Sequence, residues 1–162
     1  MIVMVSDTVA TLLRKHENEL RLRLCDVTGE GVEPEDGSDA ALFLEALQAA
    51  PLESYLPRFE SSARVLAEQG GRLEARLAAV QAWQRALSGA LSDLLRQDPA
   101  AMAQAQVHLA SVTAEILIVV TTAFRLAEEH ALLEEAERAR RGVTRMQALQ
   151  RINAAANSTL DL

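Results

Sequence analysis

The chain has 162 residues, 49% of them apolar but only 3% aromatic, and a formal net charge of -7 at pH 7. That length suits one domain, with a core assembled from Leu, Ala, Val and Ile rather than from rings. The acidic balance argues against nucleic acid and against an anionic membrane as partners, since both call for clustered cationic side chains.

Leu and Ala favour helix while Gly and Pro are sparse, so the composition predicts an all-α protein. Cys25 is the single cysteine, which leaves no internal disulfide and no cysteine-based metal set and fits a reducing cytoplasm. Met1–Val5 is apolar but too short for a secretory signal core, and Asp7 follows closely. The longest apolar run, Ile116–Val120 and its neighbours to Phe124, falls short of the roughly 20 residues that span a bilayer. The expectation is a soluble cytoplasmic protein.

In chain order, Ser6 or Asp7 caps a first helix predicted over Asp7–Val27, with Val9, Leu12, Leu13, His16, Leu20, Leu24 and Val27 at helical spacing. Thr28–Asp39 follows, rich in Gly, Pro and acidic residues. It reads as a solvated connector; the alternating ligands and terminal Glu of a calcium loop are not there. Ser38 and Asp39 cap a short helix that ends before Pro51. A further helix is predicted from Pro57 to Gln69, stopped by Gly70 and Gly71. Leu73, Leu77, Val80, Trp83 or Gln84, Leu87, Leu91 and Leu94 then form the stripe of a long amphipathic helix.

Asp98-Pro99 starts a last helix, with Asp as cap and Pro at its first position. Met102–Phe124 is apolar over a wide face, as in a buried helix. After Arg125 the composition turns charged and the apolar stripe narrows. Ala136, Ala139, Val143, Met146, Leu149, Ile152, Ala156 and Leu160 recur at steps of 3 or 4, averaging roughly 3.4, close to the repeat of a two-stranded coiled coil. The pattern predicts a helical bundle over 1–124 and a signalling and dimerising helix over 125–162, with a second copy of the chain as partner.

The remaining chemistry is thin. His16, His108 and His130 make no spaced metal pair, and Cys25 is the one soft ligand. His108 is the candidate for a haem ligand, against the alternative of an interior histidine with its hydrogen bonds satisfied. His130, beside Glu128, Glu129, Glu134 and Glu135, is either a pH sensor or part of a solvated charged face. Cys25 is either a redox sensor or an inert buried thiol. Tyr55 and Trp83 suit helix packing better than a ligand pocket. With no nucleophile set, paired carboxylates, P-loop or dinucleotide fingerprint, the expectation is a protein that is not an enzyme and needs no cofactor or metal.

Two stretches carry a resemblance. "TLLRKHENELRLRL", with Leu12, Leu13, His16, Glu19 and Leu20, and "RVLAEQGGRLEARLAAVQAWQRAL", with Ala67 and Gly70 and with Ala63 just before it, resemble the N-terminal sensor domains of RsbR-like stressosome proteins. The resemblance implies a globin-like helical bundle without haem that dimerises through its last helices. "LQRINAAANSTLDL" looks like the entry helix of a GAF domain, through Leu149, Ile152, Asn153, Asn157, Ser158, Leu160, Asp161 and Leu162. It implies that the native protein continues into a GAF domain and an output module such as a histidine kinase, a phosphatase or a cyclase. The expected function is a sensory and dimerisation domain of a bacterial signalling protein, responding to a small-molecule ligand of unknown identity. A haem or gas sensor using His108 and a plain dimerisation scaffold are the other readings.

Overall fold

The computed structural model describes residues 7–28, 38–49 and 52–160, with Asp7, Thr8, Thr28 and residues 155–160 as backbone only, and the candidate cap Ser6 lies outside them. The connector residues Gly29–Gly37, Pro51 and the terminal pair Asp161 and Leu162 lie outside the described residues, as do the side chains of Ala156, Asn157, Ser158 and Leu160. The regular elements are all helical: α1 (Asp7–Lys15), α2 (Glu17–Thr28), α3 (Asp39–Gln48), a 3-10 turn (Leu52–Ser54), α4 (Leu56–Glu68), α5 (Leu73–Leu94) and α6 (Pro99–Leu160). They fall into two units, Met1–Phe124 and Arg125–Leu162, with α6 running through both.

The first predicted helix is two helices. At His16 the backbone tightens: its N–H bonds the Leu13 carbonyl at 3.3 Å, and the Leu20 N–H returns to the His16 carbonyl at 3.1 Å. The charges match the break. Arg14 and Lys15 close α1, while Glu17 and Glu19 open α2, each sign at the helix end whose dipole favours it. Val9, Leu13, Leu20 and Leu24 are all buried and keep helical spacing across the break, so hydrophobic periodicity alone does not reveal it.

α3 is the central element. Ser38 caps it by accepting the Ala41 N–H at 3.3 Å, and seven of its ten residues are buried, from Ala40 to Leu47. α1 and α2 pack on it, and α2 also packs on α5. Helix α4 has Pro57 in its first turn, where the missing N–H is no loss. Its end is a Schellman turn: Gly70, at φ 81°, donates to the Ala67 carbonyl at 3.0 Å, and Gly71 donates to the Leu66 carbonyl at 2.8 Å.

α5 buries Val80, Trp83, Leu87, Ala90 and Leu91 on one face, with Trp83 against Phe43 at 5.8 Å between ring centroids. α6 starts on the predicted cap: Asp98 Oδ1 accepts the Ala101 N–H at 3.0 Å. Between Pro99 and Phe124 it buries Ala105, Leu109, Val112, Ile116, Val120, Ala123 and Phe124 in the same core. Thr113 is also buried there, its hydroxyl satisfied by the Leu109 carbonyl at 2.7 Å. Averaged over 18 residues α6 reaches a mean hydropathy of 1.8, enough by length and composition to cross a membrane, and 44% of that window is buried within the protein. The unbroken apolar run is shorter because Glu115 and His108 interrupt the helix's apolar composition.

Candidate functional site

Among the described residues no three His, Cys, Asp or Glu side chains gather as a metal set. Three features carry chemistry: the C-terminal end of α3, a buried charge cluster at its N-terminal end, and the apolar stripe of α6 after Arg125.

The last carbonyls of a helix have no partners within it. At α3 the neighbouring helices supply them. His108 of α6 is 5% exposed, and its Nε2 lies 2.9 Å from the Leu47 carbonyl. A carbonyl can only accept, so the ring proton sits on Nε2. Nδ1 is then a buried nitrogen without a hydrogen-bond partner. Arg14, at the end of α1, donates to the Gln48 carbonyl at 3.3 Å. His108 is thus a helix cap that ties α6 to α3. A haem ligand needs a ring nitrogen open to a pocket; here one nitrogen is engaged and the other is enclosed, which weighs against the haem reading. Beside this cap an open groove of about 380 Å³ is lined by Arg14, Glu45, Gln48, Ala49, Ser54 and Tyr55. Arg58 crosses its neighbourhood, 3.4 Å from Glu45 and 5.9 Å from the Tyr55 ring centre.

At the other end of α3, Asp39 forms an ion pair with Arg76 of α5 and accepts the Ser62 hydroxyl of α4 at 2.9 Å. Arg76 also donates to Ser62 at 3.3 Å and lies 5.6 Å from the centre of the Trp83 ring. The arginine is 7% exposed and its Nε is unpartnered, while the Asp39 side chain keeps 31% exposure. The cluster joins α3, α4 and α5 through one buried cation. Its signal in the sequence is Arg76 itself, three residues after Leu73 and four before Val80, a charge inside an apolar stripe. Gln106 carries no such signal. It accepts the Ser88 hydroxyl at 2.8 Å and donates to the Ser88 carbonyl at 2.9 Å, joining α6 to α5.

The other sequence candidates are scattered. His16 is half-buried at the α1–α2 break. Cys25 is a buried cysteine. His130 is 76% exposed, 3.8 Å from Glu134, on a solvated stretch of α6. Tyr55 borders the groove and Trp83 packs in the core.

In the Arg125–Leu162 unit every residue whose side chain is described is exposed, except Ala127. Ala136 and Ala139 are exposed, as are Val143 (55%), Met146 (60%), Leu149 (54%) and Ile152 (63%). Leu132 (66%) and Leu133 (60%) extend the apolar surface upstream of the predicted stripe. Burying such side chains is favourable by roughly 1.5–3 kcal/mol each when complete, so a run of this kind has free energy to gain from a partner.

No protein-family model matches the chain, and no curated protein or solved structure is significantly similar to it.

Proposed function

We propose that this chain is the sensory and dimerisation part of a cytoplasmic bacterial signalling protein. Its helical bundle takes the globin-like, haem-free arrangement that the RsbR-like resemblance implies. Two copies pair through a coiled coil after Arg125, and α6 relays a change in the bundle to a downstream GAF-like module of the same chain. The observation that carries the reading is the exposed apolar stripe Val143, Met146, Leu149 and Ile152 on an otherwise charged helix. An unpaired helix gains little from such a stripe, whereas a paired one buries it.

A relay also needs a mechanical link between bundle and output. The His108–Leu47 hydrogen bond supports one, since it is a buried polar contact that joins the central helix α3 to α6. A ligand that binds one position of α3 better than another shifts the population of α6 positions with it. Sedimentation of the chain at micromolar concentration tests the reading. A dimer is expected, and a strict monomer overturns it. Thermal-shift screening separates the sensor from a plain scaffold, because a specific ligand raises the melting temperature by mass action.

A further inference from the structure

The charged residues of the Arg125–Leu162 unit fall into two groups once the stripe is written as a heptad. Leu132, Ala136, Ala139, Val143 and Met146 alternate in steps of 4, 3, 4 and 3, which is the seam spacing of a coiled coil. On that frame three ion pairs, His130–Glu134 at 3.8 Å, Arg138–Glu134 at 2.7 Å and Arg141–Glu137 at 3.8 Å, all lie on the back of the helix, away from the seam. Glu135 and Arg140 flank the seam instead. Neither takes part in an ion pair among the described residues, and five residues apart they do not face each other on one helix. Five residues is the offset at which the two flanking positions of parallel, in-register helices meet across the seam. Glu135 of one copy then faces Arg140 of a second. An antiparallel pair sets like flanking positions against each other and loses this match.

At Met146 the alternation breaks. Val143, Met146, Leu149 and Ile152 are each three residues apart, and all are between 54% and 63% exposed. The upstream frame, continued, would bring Gln150 and Asn153 to the seam. The apolar side chains stand at Leu149 and Ile152. The two frames are one residue out of step, Leu149 for Gln150 and Ile152 for Asn153, and at 3.5 residues per turn one residue is about 100° of helix rotation. Gly142 lies just before the junction, with nothing within 4 Å of the place a Cβ would take, and it lowers helix propensity there.

We infer that two copies of this chain pair in parallel and in register along Leu132–Met146, and that the seam then changes frame, continuing through Leu149 and Ile152. The inference rests on the self-pairing proposed above. It gives the relay a specific geometry. The seam-facing side of each helix shifts by about 100° between Met146 and Leu149, so a twist that tightens the upstream seam loosens the downstream one. A signal acting on the bundle shifts the balance between the two seams.

Single-cysteine crosslinking on the full chain tests it, with a short bis-maleimide as probe. Cys25 is buried at 7% exposure, so the unsubstituted chain serves as background. In parallel, in-register helices each seam residue faces its own copy. Ala139→Cys, Val143→Cys, Leu149→Cys and Ile152→Cys are expected to give covalent dimers on a denaturing gel, and Gln150→Cys and Asn153→Cys to give none. Linking at Gln150 or Asn153 at least as fast as at Leu149 and Ile152 overturns the frame change while leaving the dimer standing. Linking at one position alone shows antiparallel pairing and overturns the orientation. No linking anywhere, with the chain sedimenting as a monomer, overturns the proposed dimer itself.

Discussion

Replacing His108 by Ala removes the cap that joins α6 to α3. The Leu47 carbonyl, on a residue 1% exposed, is left without a donor, a penalty of about 1–3 kcal/mol. Loss of the ring from a site 5% exposed leaves a cavity and adds about 1–2 kcal/mol. Removing the unpartnered Nδ1 returns about 1 kcal/mol, since that nitrogen is buried at a loss in the native protein. The net expectation is a destabilisation of about 1–4 kcal/mol, a sizeable share of the roughly 5–15 kcal/mol that holds a domain folded. His108→Gln keeps an N–H donor near the position of Nε2 and is expected to lose less than about 1 kcal/mol. Urea unfolding followed by the fluorescence of Trp83, the single tryptophan and part of the same core, reports on this unit alone. Equal midpoints for the Ala and Gln variants, or an Ala variant within about 0.5 kcal/mol of the parent, would refute the capping role.

The buried charge cluster is expected to respond asymmetrically. Asp39→Ala strands the buried Arg76 and should cost on the order of 2–4 kcal/mol, whereas Arg76→Met fills the site and leaves a carboxylate that is already 31% exposed, so its effect stays within about 1–2 kcal/mol; the two unfolding midpoints decide, and the reverse order counts against the assignment. At the end of α4, Gly70→Ala is expected to cost about 1 kcal/mol because φ is 81° there. Gly71→Ala should cost at least as much, since its Cβ would lie 2.5 Å from Leu66 Cγ; thermal melts that match the parent would contradict both. Gly142→Ala meets no neighbour and should stabilise α6 by roughly 1 kcal/mol per copy, read as higher helicity on mild heating by circular dichroism.

The sequence was most readable where local chemistry decides. Ser38 at the start of α3, Asp98-Pro99 at the start of α6, and Gly70-Gly71 at the end of α4 all act as their residue types predict, because a cap or a positive φ is settled within a few residues. The all-helical class follows from composition in the same way. The α1–α2 break was not readable from periodicity, since its buried residues keep step through it, and only the charge reversal at Arg14–Glu19 marks it. The cap on Leu47 was out of reach for a different reason. His108 and Leu47 are 61 residues apart, and no local pattern brings them together. Arg76 sits between these cases: its place in an apolar stripe is visible, but its partner Asp39, 37 residues away, is not. The stripe after Arg125 is visible as a pattern, because it needs only the spacing of residues along one helix.

The central claim is that this stripe binds a second copy of the chain. Light scattering coupled to size exclusion on the full chain gives the mass directly, for the parent, for a Val143→Glu, Leu149→Glu double variant, and for Arg141→Ala on the charged back of the helix. The account predicts a dimer for the parent and for Arg141→Ala, and a monomer for the double variant. A parent that runs as a monomer, or a double variant that stays dimeric, would contradict it.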